Sequence, residues 1–275
     1  MGLNKFKNLY GKNVFITGVS SGIGRATAIA FVRAGCNVIG VSRNCKEESR
    51  TLANGGSLRT LKMDVTDDES VDRVMNEVEN IDIAVLCAGM GIAGPAESTP
   101  IEAVKKQMDV NYFGVLRVGN KVLSGMREKK NGLFIVVGSL AGLVSIPMQS
   151  HYSSSKYALE AYVDALRLEM KEYGVKASIV EPGDTRTKFT DNREIYLDEA
   201  SPYFTKGKSS IEIMKNDERN GVSSDDVART ILSLAGKKNP PARVQVGISG
   251  LGIAVVLKLA PSRVREMLME KRYMS

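Results

Sequence analysis

Short apolar runs recur along the chain, with longer stretches of helical periodicity between them. The runs cover residues 13–17, 37–42, 58–63, 83–86, 133–137, 177–180 and 243–246. Most are close to continuous in Val, Ile, Leu and Ala rather than alternating, which is the pattern of strands covered on both faces. Each interval is long enough for a right-handed helical crossover between parallel strands. The expected fold is therefore α/β: a doubly wound parallel sheet of about seven strands in three α/β/α layers.

Punctuation supports the intervening helices. Residues 22–34 run into Gly35, residues 67–79 open with acidic side chains, and residues 152–173 stop at Gly174. Ser223 and Asp226 have the spacing of another capped start. Residues 183–221 are polar, irregular and longer than a usual connection. At a strand's carboxyl end such an insertion reads as a substrate lid on a single domain spanning residues 1–275. Residues 251–260 are apolar but interrupted by Lys258, and fall well short of the ~20 residues a membrane span needs. They read as a buried or lid piece of a C-terminal segment, residues 248–275, and no transmembrane segment is expected.

The first run leads straight into Thr17-Gly18-Val19-Ser20-Ser21-Gly22-Ile23-Gly24 and then a helix. In a strand–turn–helix context, glycines permit a tight turn and close approach of the backbone to a pyrophosphate, while amides at the helix start face the phosphates. The bland alternative, a turn that merely closes a βα connection, fits the first-strand position less well. A nucleotide triphosphate loop is excluded, because no Gly-Lys-Ser/Thr follows. The sheet is thus expected to be of the Rossmann dinucleotide-binding type. About 20 residues on, where an NAD-binding site places a carboxylate, the chain has Ser42 and Arg43. A hydroxyl and a guanidinium suit a 2′-phosphate, so NADP(H) is the expected cofactor; the alternative is that Arg43 is a solvated loop cation. Asp64 can accept from an adenine amino group or cap the next helix.

Composition narrows the class. The chain has 275 residues, is 43% hydrophobic, and carries its 25% of charged residues without a long single-sign block, which fits one well-buried core. The net charge of +7 favours anionic ligands, but the basic residues are not clustered and no nucleic-acid-reading motif is present, so no nucleic-acid partner is expected. Cys36, Cys45 and Cys87 form no metal or disulfide pattern. With neither an apolar leader nor a lipidation motif at the N-terminus, the expected location is cytoplasmic.

Tyr152 and Lys156 stand four apart at a helix start and project from one face. An ammonium near a phenol favours the phenolate and brings it toward use as an acid/base group. Such a pair also arises by chance on amphipathic faces, and its neighbours decide the matter. Ser139 follows the 133–137 run at a carboxyl strand end, and Asn111 lies in a helical crossover.

With these residues in place the sequence resembles the short-chain dehydrogenase/reductase family over nearly its whole length. The family's TGxxxGxG matches Thr17 to Gly24, its catalytic Asn, Ser, Tyr and Lys fall on Asn111, Ser139, Tyr152 and Lys156, and its Pro-Gly motif falls on Pro182 and Gly183. The resemblance implies Tyr152 as general acid in reduction and base in oxidation, Ser139 holding the substrate oxygen, and Lys156 holding the nicotinamide ribose. It also implies that Asn111 positions a water linking Lys156 to solvent. Cofactor contacts are expected from Gly18, Ser20, Ser21, Gly22, Ile23, Gly24, Ser42, Arg43, Asp64, Val65, Ala88, Gly89, Asn111, Tyr152, Lys156, Pro182, Gly183, Thr185 and Thr187. No metal is expected.

One departure stands out: Cys87 occupies a position where many members have Asn. Nothing near it in sequence would activate it as a nucleophile. His151 is left without an acid/base role, and is expected to touch substrate or cap the helix. The pocket is expected to draw on residues 140–148, 90–95 and 183–221. Its apolar character favours a small hydrophobic carbonyl compound or its alcohol, as in the similar hydroxysteroid and retinol dehydrogenases of this family. Apolar residues beyond one stripe in residues 101–126 and 152–173 imply a homodimer or homotetramer, unless they lie under the lid. The competing readings are a nucleotide-binding regulatory or interaction protein without catalysis, and a nucleic-acid binder resting on charge alone.

Overall fold

The computed structural model describes residues 3–247 and 259–274. Its main sheet has eight strands: β1 (Asn13–Thr17), β2 (Asn37–Ser42), β3 (Glu48–Thr51), β4 (Ser57–Lys62), β5 (Ile83–Leu86), β6 (Gly132–Val137), β7 (Val175–Pro182) and β8 (Arg243–Val246). Their order is β8-β7-β6-β5-β1-β2-β4-β3. All neighbours run parallel except β3, which pairs antiparallel with β4. The seven runs read from the sequence are the seven parallel strands. The eighth, Glu-Ser-Arg-Thr, is polar and largely exposed at the sheet edge, so it has no apolar signature to read.

The parallel strands are apolar because helices cover both faces. On one side α1 (Gly22–Arg33) and α7 (Ser224–Ala235) pack together over Val14, Ile16, Val38, Val85 and Ile135. On the other, α2 (Asp68–Met75), α4 (Gly114–Glu128) and α5 (Ser150–Glu169) close over Phe15, Ala84, Leu86, Phe134, Val136 and Ile179. Preceding α4 are α3 (Ile101–Met108) and a π-helical turn, Asp109–Phe113.

Local chemistry sets the helix ends. Asp67, not Asp64, caps α2 by accepting from Glu69 N at 3.0 Å. Ser223 and Asp226 form the expected capping box on α7. Residues 183–221 are less irregular than their sequence implies, since they contain α6 (Phe204–Asn220). Two short parallel ladders pin this insertion to the body, Glu194–Ile195 on Ile92–Ala93 and Val222–Ser223 on Thr185–Arg186. A last helix, α8 (Ser262–Tyr273), follows. The apolar 251–260 stretch lies outside the described residues except for Leu259 and Ala260. No helix among the described residues is long and apolar enough to cross a membrane.

Candidate active site

Strand order reverses at β1, which has β2 on one side and β5 on the other. The carboxyl edge of such a switch point leaves a crevice, and here it opens into a cleft of about 670 Å³. Thr17, at the end of β1, fixes its floor: Oγ1 accepts from the backbone N–H groups of Cys87 and Ala88 at 3.0 Å each, tying β1 to the turn after β5.

The glycine turn forms one wall. Gly18 has φ +76°, and a Cβ there would stand 3.0 Å from Ala88 N. A Cβ on Gly24 would stand only 2.3 Å from Gly18 O, so α1 can approach the turn this closely only with glycine. The N-cap residue Ser21 makes no side-chain cap bond, which leaves first-turn amides of α1 for an external acceptor. Gly18, Ser20, Ser21, Gly22, Ile23 and Gly24 all line the cleft. This wall fits a dinucleotide pyrophosphate.

Opposite stand the chemical groups. Ser139 follows β6 and caps a short 3-10 turn, Leu140–Gly142, accepting from Ala141 N at 3.1 Å. Its side chain faces the phenol of Tyr152 and favours the ionised form of that phenol. Lys156 sits one turn along α5, with Nζ 5.7 Å from the Tyr152 ring centroid and donating to Val137 O at 3.0 Å. An ammonium one turn away draws a phenol toward ionisation, but here burial dominates. It pushes the Tyr152 phenol up to about 12 against the opposing Ser139 side chain, and brings the Lys156 ammonium down to about 8. Tyr152 is therefore a firmly protonated donor, and Lys156 titrates nearer neutrality than a free lysine.

Asn111 lies in the π-helical turn, fully buried; such turns cluster at functional sites. Its Oδ1 accepts from Met90 N at 2.8 Å, and Nδ2 donates to Met90 O at 2.9 Å and Ser155 Oγ at 3.0 Å. Ser155 Oγ in turn donates to Tyr152 O at 2.7 Å. Both amide hydrogens of Asn111 are committed, so its side chain braces the start of α5 and does not line the cleft.

Other expected residues divide. Arg43, Ala88, Gly89, Pro182, Gly183, Thr185 and Thr187 line the cleft, together with Asn44, which the sequence did not single out. Ser42, Asp64 and Val65 do not. The Ser42 hydroxyl is buried without a hydrogen-bond partner. Asp64 Oδ1 is occupied by Thr66, accepting from its N at 2.9 Å and its Oγ1 at 2.8 Å. Val65 packs toward Gly114. Cys87 is on the wall, and burial pushes its thiol up to about 12, which leaves it an inert space-filler. His151 neither lines the cleft nor caps α5.

The remaining wall is mixed. Leu140, Val144, Ile146, Met90 and Phe189 make it apolar; Gln149, Asp184, Asn192, Glu194 and Glu218 add polar groups. The Phe189 ring lies 5.6 Å from that of Tyr152. Beneath it Arg193, fully enclosed, pairs with Glu218, to which Thr190 Oγ1 also donates at 2.5 Å. Met148, expected on the wall, is instead buried against Ala93, Ile211 and Met214. Met269 and Tyr273 of α8 reach the cleft from the far end of the chain. No signal in the sequence near them gives that away.

Comparison with known proteins gives the same outline. Residues 12–196 match the model of the short chain dehydrogenase family. The chain is 37% identical over 240 residues to a 3-ketodihydrosphingosine reductase of Bacteroides thetaiotaomicron, covering 85% of this chain and 87% of that protein. It is 29% identical over 256 residues to retinol dehydrogenase 8 of Bos taurus, covering 84% and 80%. Among solved structures, a short-chain dehydrogenase from Streptomyces avermitilis is similar at TM-score 0.77 and 29% identity, covering 94% of this chain and 96% of that one. With the glycine turn, the Ser-Tyr-Lys wall and a family match over residues 12–196 in hand, the chain belongs to the short-chain dehydrogenases, a family of oxidoreductases.

Proposed function

We propose that the protein is an NADPH-dependent oxidoreductase that interconverts a lipophilic ketone or aldehyde and its alcohol. The observation that carries this reading is the meeting of Ser139, Tyr152 and Lys156 on one wall of the cleft that the glycine turn also lines. When bound, a nicotinamide dinucleotide gives hydride to a carbonyl carbon or takes it from the alcohol. The chain's own residues do the rest. Ser139 holds the carbonyl oxygen, and the Tyr152 phenol, protonated up to about pH 12, donates its proton to that oxygen in reduction. Lys156 holds the nicotinamide ribose and a positive charge beside the phenol. Asn111 keeps the first turn of α5 in place through Ser155.

Arg43, exposed on the cleft rim where a ribose-binding carboxylate would otherwise stand, favours NADP(H) through charge-assisted bonds to a 2′-phosphate. Leu140, Val144, Ile146, Phe189 and Met269 favour a lipophilic substrate. The names of two relatives, a 3-ketodihydrosphingosine reductase and a retinol dehydrogenase, point the same way. Residues 183–221 act as the lid over it. The exposed Ile101, Phe113, Tyr157 and Leu168 support a homodimer or homotetramer, and we read its location as cytoplasmic.

The test is NADPH absorbance against a panel of ketones, aldehydes and secondary alcohols graded by chain length. NADPH should be consumed with long-chain or polycyclic ketones and much less with short polar ones. NADPH binding without turnover of any member would favour a regulatory protein instead.

A further inference from the structure

Behind Lys156 lies a second group of titratable side chains that the proposed chemistry does not use. Glu160 on α5 and Glu181 on β7 are 6% and 0% exposed. Both carboxyls converge on a single guanidinium, and two carboxyl groups buried this close together hold one proton between them more readily than they carry two full charges. Arg243 of β8 faces both: its Nε is 2.9 Å from Glu160 Oε2 and 3.5 Å from Glu181 Oε1, while Nη2 reaches Asp164 at 2.5 Å. One guanidinium thus serves three carboxylates. Neutral Gln245 of β8 stands in register with Glu181.

The pair is placed against the proposed catalytic wall. Glu160 follows Lys156 by four residues on the same helix, so the two lie one turn apart on one face. A Cβ on Gly138 would meet Glu160 Oε1 at 3.3 Å, and one on Gly142 would meet Lys156 O at 3.0 Å and Glu160 Cγ at 3.2 Å. The carboxyl therefore sits under the turn that begins with Val137, whose carbonyl accepts from Lys156, and continues into Ser139. Of charged or titratable groups, Lys156 otherwise meets Cys87, whose thiol is neutral, and Tyr152. A buried ammonium needs a counter-charge, and this pair is one turn away.

We propose that Glu160 and Glu181 share one proton and, as a singly charged pair braced by Arg243, provide the buried counter-charge that keeps Lys156 an ammonium. Both are positioning residues acting through Lys156, and the assignment rests on the functional reading above. Burial and the facing Glu181 push the Glu160 carboxyl up to about 7, so the shared proton is held below neutrality and released above it. The Glu160 charge in turn raises the Lys156 pKa against its burial.

Two measurements on the full chain decide the matter, and neither needs a substrate. Infrared spectra at pH 6 should show a carboxylic-acid C=O component, beyond that of the buried Asp184 carboxyl, whose own value burial raises to about 6, that is lost in Glu160→Gln and in Glu181→Gln, since each variant leaves one carboxylate facing Arg243. A component unchanged in both variants, or none beyond that of Asp184 in the wild type, overturns the shared proton. NMR titration of the Lys156 ε-carbon, assigned by its loss in Lys156→Arg, should move about one pH unit lower in the double Gln variant. Each single variant confines the remaining charge to one of the two positions and should still move it measurably, by less than half as much. An unmoved Lys156 titration in a folded double variant overturns the counter-charge; if that variant does not fold, unmoved titrations in both single variants do so. The alkaline limb of ketone reduction should follow the same order. If Tyr152→Phe retains turnover, the functional reading fails, while the infrared and NMR results still judge the pair.

Discussion

Gly24→Ala puts a single methyl group where helix α1 meets the glycine turn. Its Cβ would stand 2.3 Å from Gly18 O, 2.7 Å from Gly18 C and 3.0 Å from Thr17 O. All three are backbone atoms, which cannot swing aside, and the first is about 1 Å short of a ~3.5 Å contact. Alanine is worth about 1 kcal/mol over glycine in a helix, whereas overpacking of this kind costs about 1–3 kcal/mol. The expected net loss is about 1 kcal/mol of folding stability. Nucleotide binding should suffer more. Moving the first turn of α1 by about 1 Å lengthens the hydrogen bonds its backbone N–H groups would donate to phosphate, each worth about 1.5–3 kcal/mol, so NADPH should bind at least about tenfold more weakly.

Gly125→Ala is the matched control. It lies on the exposed face of α4, with nothing within 4 Å of the added carbon, and should gain about 0.5–1 kcal/mol. Urea denaturation and NADPH fluorescence titration read both quantities. If Gly24→Ala is stabilised as much as Gly125→Ala and binds NADPH like the wild type, the close approach of α1 to the turn is not what builds the cradle.

Other consequences are as direct. Ketone reduction needs Lys156 protonated, and its ammonium titrates at about 8, so kcat/KM should be flat at neutral pH and fall as pH rises through about 8; a profile flat to pH 10 would contradict the role of Lys156. Arg43→Asp places a carboxylate on the cofactor rim and should move the preference from NADP(H) toward NAD(H) by at least about tenfold, measured as the ratio of the two kcat/KM values. Ser223→Ala removes the cap that accepts from Asp226 N at 3.2 Å and should cost about 1 kcal/mol in urea denaturation while leaving turnover as it was.

Parts of this protein were legible from sequence for identifiable reasons. Strands buried on both faces, such as Leu133 to Val137, must be continuously apolar, and a helix that carries Tyr152 and Lys156 at i and i+4 must present them together. The edge strand Glu48–Thr51 escaped notice because an edge buries little, and α6 because its long solvated face leaves only Gly207, Ser210, Ile211 and Met214 buried. Asp64 and Asp67 are three residues apart at a helix entrance, and spacing alone could not say which one caps α2. Met269 and Tyr273 reach the cleft from more than 100 residues beyond Tyr152, a closure that only the folded chain reveals. The Tyr152 phenol shows the same limit: an ammonium one turn away was visible in the sequence, but the burial that outweighs it was not.

The central claim is that the Tyr152 phenol moves the proton while other groups hold the cofactor. Replacing it with Phe removes one oxygen from a wall that otherwise stays in place. NADPH affinity should stay within about twofold while ketone reduction falls by about 10² or more. Turnover that survives the loss of that oxygen, in a variant that still binds NADPH, would contradict the account.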